Sequence, residues 1–154
     1  MSQFKKLEWV DGVEGAVPDG AVVGGDDNGE PLYVARAEHN GEMLPGKVLP
    51  RHGVCYISWG GEEIPKHSYQ VLTNPCGCSL VWTKAEGGDF PTGAVMGGRA
   101  GDGEALFVGR AEHEGSVCLG KIHPSNEVLY LPYGGAEVPK REYEVLAVRC
   151  LELD

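Results

Sequence analysis

Trp9-x5-Gly15-x2-Pro18-x-Gly20-Ala21-Val22-x-Gly24-Gly25 stands near the start of the chain, and the same spacing returns 73 residues later as Trp82-x5-Gly88-x2-Pro91-x-Gly93-Ala94-Val95-x-Gly97-Gly98. A one-residue insertion then moves the offset to 74. Arg36-Ala37-Glu38-His39 recurs as Arg110-Ala111-Glu112-His113, and Gly46-Lys47 as Gly120-Lys121. Tyr56, Gly60-Gly61, Glu63, Pro65-Lys66, Tyr69 and Val71-Leu72 return as Tyr130, Gly134-Gly135, Glu137, Pro139-Lys140, Tyr143 and Val145-Leu146. The chain is a duplication, and a fixed period of this kind decides the architecture before any local reading. The boundary falls between Asn74 and Cys78, which divides the chain into units 1–75 and 76–154.

Within each unit the pattern is strand and turn. Ala21 to Gly25 precedes the polar turn Asp26-Asp27-Asn28-Gly29. Leu32 to Arg36 is rich in β-formers and leads to Asn40-Gly41. Asn-Gly between two such runs predicts a hairpin, because both turn residues need positive φ. Glu114-Gly115 holds that place in the second unit. No stretch keeps a helical period for more than about two turns. The expected fold is all-β: two tandem, antiparallel, β-sandwich-like repeats with pseudo-two-fold symmetry. Each small sheet leaves one apolar face open, so the units should share a core, and strand exchange between them stays an open alternative.

Composition narrows the function. The 154 residues include 24 glycines and 10 prolines but also 6 tyrosines and 3 tryptophans, which fits many tight turns in a globular chain. Thirteen Lys and Arg against 23 Asp and Glu give a net charge of -10, which repels phosphate backbones and argues against nucleic acid. No window of 18 consecutive apolar residues occurs, and Met1 to Lys6 opens with charge but no apolar run, so neither membrane insertion nor an ordinary secretion signal is expected. Cys55, Cys76, Cys78, Cys118 and Cys150 form no dense framework and read as reduced thiols. The expected location is cytoplasmic, with release or cell-surface display by a non-classical route left open.

Polar residues kept in both units are Arg36/Arg110, Glu38/Glu112, His39/His113, Lys47/Lys121, Glu63/Glu137 and Lys66/Lys140. Arg36 and Glu38 share a strand face and read as a structural ion-pair set; His39 reads as a hairpin-end histidine. Glu63 and Lys66 read as solvated loop charges. Lys47 and Lys121 sit in Gly-Lys-(Val or Ile)-x-Pro and admit two readings. One is a solvated edge-strand lysine. The other is an anchor whose three donors suit sugar hydroxyls or a carboxylate. Asp26-Asp27-Asn28-Gly29 concentrates acceptors that suit vicinal hydroxyls, whereas Arg99 replaces the first acid in the second copy. Tyr33, Tyr56, Trp59 and Tyr133 are candidates for an aromatic sugar-stacking face.

Signatures of catalysis are sparse. No GxSxG, HExxH, P-loop or dinucleotide fingerprint occurs. The acids lack EF-hand spacing, and Cys76-Gly77-Cys78 lacks a second pair for zinc. No catalytic residue, metal or cofactor is expected. A hydrolase using Glu38 or Glu112 with His39 or His113 is the remote enzymatic alternative. Cys55 and Cys118 face Leu129 and Leu44 at the matching positions and read as core fillers.

The twice-repeated pattern of Trp, double glycine, Arg-Ala-Glu-His, Gly-Lys, Tyr-x3-Gly-Gly and Tyr-x-Val-Leu resembles the DM-nine repeat family, natterin-like and similar to the mannose-specific lectins of oysters. The resemblance covers about Leu7 to Val148. It implies an all-β fold of two interlocked repeats, a homodimer, and recognition of terminal mannose on microbial glycans as a pattern-recognition molecule of innate immunity. The family's sugar contacts fall on Asp26 and Lys47, and in the second copy on Lys121 with Asp102 standing in for the displaced acid. The aerolysin-like half of natterins is not matched, so pore formation is not expected. Monosaccharide binding through so few contacts should lie at about 0.1 to 1 mM. A non-catalytic protein-interaction module of innate immunity is the alternative function.

Overall fold

A computed structural model describes residues 6–149; the extreme amino terminus and Cys150 lie outside the described residues. Fourteen strands follow one another among the described residues. The first half holds β1 (Glu8–Val13), β2 (Val23–Asp27), β3 (Glu30–His39), β4 (Glu42–Leu49), β5 (Val54–Trp59), β6 (Glu62–Lys66) and β7 (Ser68–Thr73). The second half repeats that order as β8 (Leu80–Glu86), β9 (Met96–Arg99), β10 (Ala105–His113), β11 (Ser116–His123), β12 (Val128–Tyr133), β13 (Ala136–Lys140) and β14 (Glu142–Val148). Between β4 and β5, and again between β11 and β12, lies a single 3-10 turn, Pro50–His52 and Pro124–Asn126.

The strands form one continuous sheet rather than separate sandwich-like units. The order β3-β2-β11-β12-β13-β6-β5-β4 closes on itself through the β3–β4 hairpin, giving an eight-stranded barrel. Strands β9 and β10 make a second bridge between β4 and β11, while β1–β7 and β8–β14 extend the sheet beyond β3 and β10. Closure removes most of the free edges that two small sheets would expose. Its seams are exchanges between halves: Asp26 of β2 faces Val117 of β11, Met43 of β4 faces Arg99 of β9, and Glu62 of β6 faces Ala136 of β13.

The double glycines make these seams possible. A Cβ on Gly25 would sit 2.2 Å from the Val117 carbonyl oxygen, and one on Gly98 would sit 1.9 Å from that of Met43. No side chain fits there, so the backbones of the two halves touch directly. Arg36 and Arg110 brace the same seams. Each guanidinium lies over a tryptophan of its own half, 4.3 Å from Trp9 and 4.1 Å from Trp82. Each also donates across the seam, Arg36 to the Gly97 carbonyl at 3.4 Å and Arg110 to the Gly24 carbonyl at 3.0 Å. Their polar partners are Gln70 and Glu144, not the exposed Glu38 and Glu112, so the ion-pair set expected on β3 is replaced by contacts to β7 and β14.

The core is shared, as the thin single-unit cores required. Val22, Leu32, Val34, Leu49 and Leu72 pack with Val95, Val108, Leu119 and Leu146 in one buried cluster drawn from both halves. The Asn40-Gly41 and Glu114-Gly115 turns both carry positive φ at both residues, the conformation the hairpin reading demanded.

Candidate functional site

The bulge in β2 decides which acid faces where. The register of β2 against β3 shifts between Val23 and Gly25, and the strand then runs on through Asp27 before turning at Asn28-Gly29. Asp26 and Asp27 are therefore strand residues, not turn residues, and point to opposite faces. Asp26 opposes Val117 and lines an outer groove with Arg110, Glu112 and Lys140. Its carboxylate accepts the Gly29 N–H at 3.1 Å and makes no hydrogen bond or ion pair with Lys47. Asp27 takes the opposite face of the strand, and its charge helps to raise the pKa of Cys118 and Tyr133 behind the larger effect of burial.

Lys47 is not the solvated edge lysine of one sequence reading; it is only 6% exposed. Gly46 beside it packs its Cα against the Tyr56 carbonyl, where a Cβ would lie 2.1 Å away, and this close approach sinks the lysine into the barrel. The ammonium sits between two tyrosine rings from different halves, 5.8 Å from the Tyr56 centroid and 5.4 Å from that of Tyr133. Its hydrogen-bond acceptor is the Cys118 sulfur at 3.1 Å, and the nearest carboxylate oxygen, from Glu63, is 3.8 Å away. Sulfur is a weak acceptor, so this buried ammonium is only partly satisfied.

Lys121 occupies the matching place with different partners. It is 5% exposed, donates to the Ser58 carbonyl at 2.7 Å and lies 3.0 Å from Glu137 Oε2. The Tyr130 ring is 5.5 Å away. Among the described residues, Glu137 Oε2 and Ser58 Oγ are buried without a hydrogen-bond partner, so the contact of Glu137 with Lys121 is electrostatic and is that oxygen's compensation. The turn acid is absent from this pocket. Asp102 is exposed and accepts the Glu104 N–H at 2.9 Å, and the position matching Asp27 is Ala100, packed with Trp59 against the apolar core.

Glu63 and Glu137 are the pocket residues that sequence reasoning placed in solvent. Their side chains are 14% and 11% exposed. Each accepts the second glycine N–H of the opposite Gly-Gly turn, Glu63 from Gly135 and Glu137 from Gly61, both at 3.0 Å. The signal available was their presence in both copies; what hid them was that their partners lie in the other half. His39 and His113 stack edge-on against Trp59 and Tyr133, with ring centroids 5.3 and 4.8 Å apart. Burial, with Lys66 and Lys121 nearby, lowers the His39 pKa and favours its neutral form. Of the aromatic candidates, Tyr56 and Tyr133 flank Lys47. Tyr33 packs on the core, and Trp59 packs there too while donating its Nε1–H to Glu42 at 2.7 Å.

A separate polar knot lies beside β12. Glu104 accepts from the Ser125 hydroxyl at 2.6 Å and its N–H at 2.8 Å, and meets His123 Nε2 at 2.9 Å. Asn126 links His123 to the Tyr130 hydroxyl, the ring that lies by Lys121. Among the described residues no group of three His, Cys, Asp or Glu side chains converges as a metal site.

Comparison with known proteins places this geometry in a lineage. Natterin-4 of Thalassophryne nattereri is 31% identical over 150 residues, covering 96% of this chain and 35% of that protein. Natterin-3 of the same organism is 30% identical over 151 residues, 96% of this chain and 38% of the relative. The chain thus spans little more than a third of the length of these relatives. The crystal structure of the nematode sperm cell motility protein MFP2B superposes with a TM-score of 0.71 at 19% identity, covering 97% of this chain and 48% of that one, a likeness of fold. The DM9 repeat family matches residues 26–140, which take in both lysine pockets and all three seams between the halves. The chain belongs to the DM9 repeat family.

Proposed function

We propose that the protein is a non-enzymatic lectin that binds terminal mannose on microbial glycans. Membership of the DM9 repeat family supports a lectin-like or protein-interaction module. The observation that favours a sugar is the Lys47 pocket: a buried ammonium with unspent donors, set between Tyr56 and Tyr133, with the Glu63 carboxylate 3.8 Å away. Tyrosine faces suit the C–H side of a pyranose ring, and a few convergent polar groups on a rigid sheet suit its hydroxyls. No nucleophile and base pair forms part of this reading. Glu38 and Glu112 are exposed and alternate in direction with the neighbouring histidines, which argues against the hydrolase alternative.

Function as a pattern-recognition molecule would follow from a homodimer that presents several weak sites, since linked sites gain about 10² to 10⁴ in avidity. Calorimetric titration of mannose, with galactose as control, tests the reading in wild type and Lys47→Ala. Binding of mannose alone, lost in the variant, supports it. No heat from either sugar, at concentrations that detect millimolar affinity, moves the assignment to a protein-interaction module, for which the outer edges of β1 and β8, unpaired among the described residues, offer strand-pairing surfaces.

A further inference from the structure

The ladder between β8 and β14 leads toward two cysteines of the sequence, Cys78 ahead of β8 and Cys150 beyond β14. Its antiparallel register sets Val148 opposite Leu80, and Arg149 donates its N–H to the Ser79 carbonyl at 2.8 Å. Arg149 and Ser79 are thus a hydrogen-bonded pair, which makes the positions on either side non-hydrogen-bonded pairs. Val148 conforms, since its N–H goes to the Gly93 carbonyl at 2.9 Å and not to Leu80. Counted one residue past Arg149, the same register matches Cys150 with Cys78. In such a pair the Cα atoms lie about 4.5 Å apart, inside the range of about 4.4 to 6.8 Å that a disulfide spans.

The backbone around Cys78 suits that pairing. Its N–H donates to the Asn74 side-chain oxygen at 2.8 Å, and its carbonyl accepts from the Asn74 amide nitrogen at 2.9 Å. Both groups are spent on the connection between the halves and ask nothing of β14, as a non-hydrogen-bonded pair requires. We infer that Cys78 and Cys150 close a disulfide under oxidising conditions, tying the connection between the halves to the far end of the second half. At the offsets of the duplication Cys78 matches Lys5 and Cys150 matches Cys76, so the first half carries no equivalent pair. The oxidant is a small disulfide such as glutathione disulfide. The Cys78 thiolate attacks one of its sulfurs and expels a glutathione thiolate; the Cys150 thiolate then attacks the Cys78 sulfur and expels the second. Two protein thiols lose two electrons and two protons, and the oxidant leaves as two glutathiones. The bridge encloses nearly the whole second half in a loop of about 70 residues, which removes much freedom from the unfolded chain.

The test is peptide mapping of the full chain after incubation with glutathione disulfide, trapped with N-ethylmaleimide in denaturant and digested with trypsin without reduction. Cleavage after Lys66, Lys84 and Arg149 leaves Cys76 and Cys78 in one peptide and Cys150 in another. The expected product joins these two peptides with Cys76 left out of the bridge, and it forms equally in Cys76→Ser but not in Cys78→Ser. Cys76 is exposed, so its replacement leaves the fold intact. Oxidation of Cys76→Ser should raise Tm by about 4 °C or more, and dithiothreitol should reverse the rise. Maleimide on both Cys78 and Cys150, a bridge from Cys76 to either of them, or chains linked to one another through Cys150 would overturn the inference. A bridge that forms without moving Tm would overturn its role as a tie.

Discussion

Glu137→Gln and Glu63→Gln should differ in their cost to stability, and the difference can be worked from the structure. Glutamine keeps an oxygen for the opposite glycine N–H, so each change removes the charge while sparing the 3.0 Å bond to Gly61 or Gly135. With an effective dielectric of about 20, a unit charge pair attracts by about 5.5 kcal/mol at 3.0 Å and about 4.4 kcal/mol at 3.8 Å. Distance alone therefore separates the two pairs by about 1 kcal/mol. Sealing adds to this, because Glu137 Oε2 has no hydrogen-bond partner and its loss leaves the Lys121 ammonium without a counter-charge. Breaking such a buried pair costs about 3 to 5 kcal/mol, so Glu137→Gln should lose about 3 kcal/mol and Glu63→Gln about 1 to 2 kcal/mol. At about 2 to 4 °C per kcal/mol for a chain of this size, Tm should fall by about 6 to 12 °C in the first and by less than about 8 °C in the second. Urea denaturation with matched m-values, checked by calorimetry, measures both. Equal losses, or a larger loss for Glu63→Gln, would refute the claim that the second pocket is the tighter one.

Three other perturbations read different parts of the structure. Gly98→Ala puts a Cβ 1.9 Å from the Met43 carbonyl oxygen, so β9 must leave β4 and urea denaturation should register a loss of about 2 kcal/mol or more. The Ser125 hydroxyl, its N–H and His123 hold the Glu104 carboxyl below its ordinary pKa of 4.5, despite some opposing desolvation. A carboxyl whose folded pKa is depressed stabilises the fold above its unfolded pKa and ceases to as pH falls through the folded one. Wild type should therefore exceed Glu104→Gln in stability at neutral pH, with the gap closing as pH drops below 4.5, as read from unfolding curves across that range. A gap that is the same at all pH values would contradict it. Burial pushes the Cys55 thiol up to about 12 and raises Cys118 as well, while Cys76 is exposed. At pH 8 a thiol reagent should thus modify Cys76 in the folded protein and reach Cys55 and Cys118 only on unfolding, which peptide mapping will resolve.

The duplication, the all-β class and the hairpin turns were legible in the sequence, because glycine spacing and Asn-Gly chemistry act locally and repeat at fixed offsets. The lysines were legible as kept residues, but not their burial, since depth depends on how closely Gly46 and Gly120 let neighbouring strands approach. Glu63 and Glu137 read as solvated because each finds its partner in the other half's Gly-Gly turn.

The two acids of β2 part for a geometric reason. Side chains alternate along a strand, so one bulge reverses every face beyond it. The bulge between Val23 and Gly25 sets the faces of Asp26 and Asp27, and Asp26 comes to oppose Val117 on the outer groove. Sequence determined that two copies of one pattern must share a core, since neither could bury its apolar residues alone. Only the tertiary structure decided that the copies exchange strands around one barrel. That exchange places Cys118 against Lys47 but leaves Lys121 bound to Ser58 and Glu137, so a difference at one matched position, Leu44 against Cys118, ends in unequal pockets.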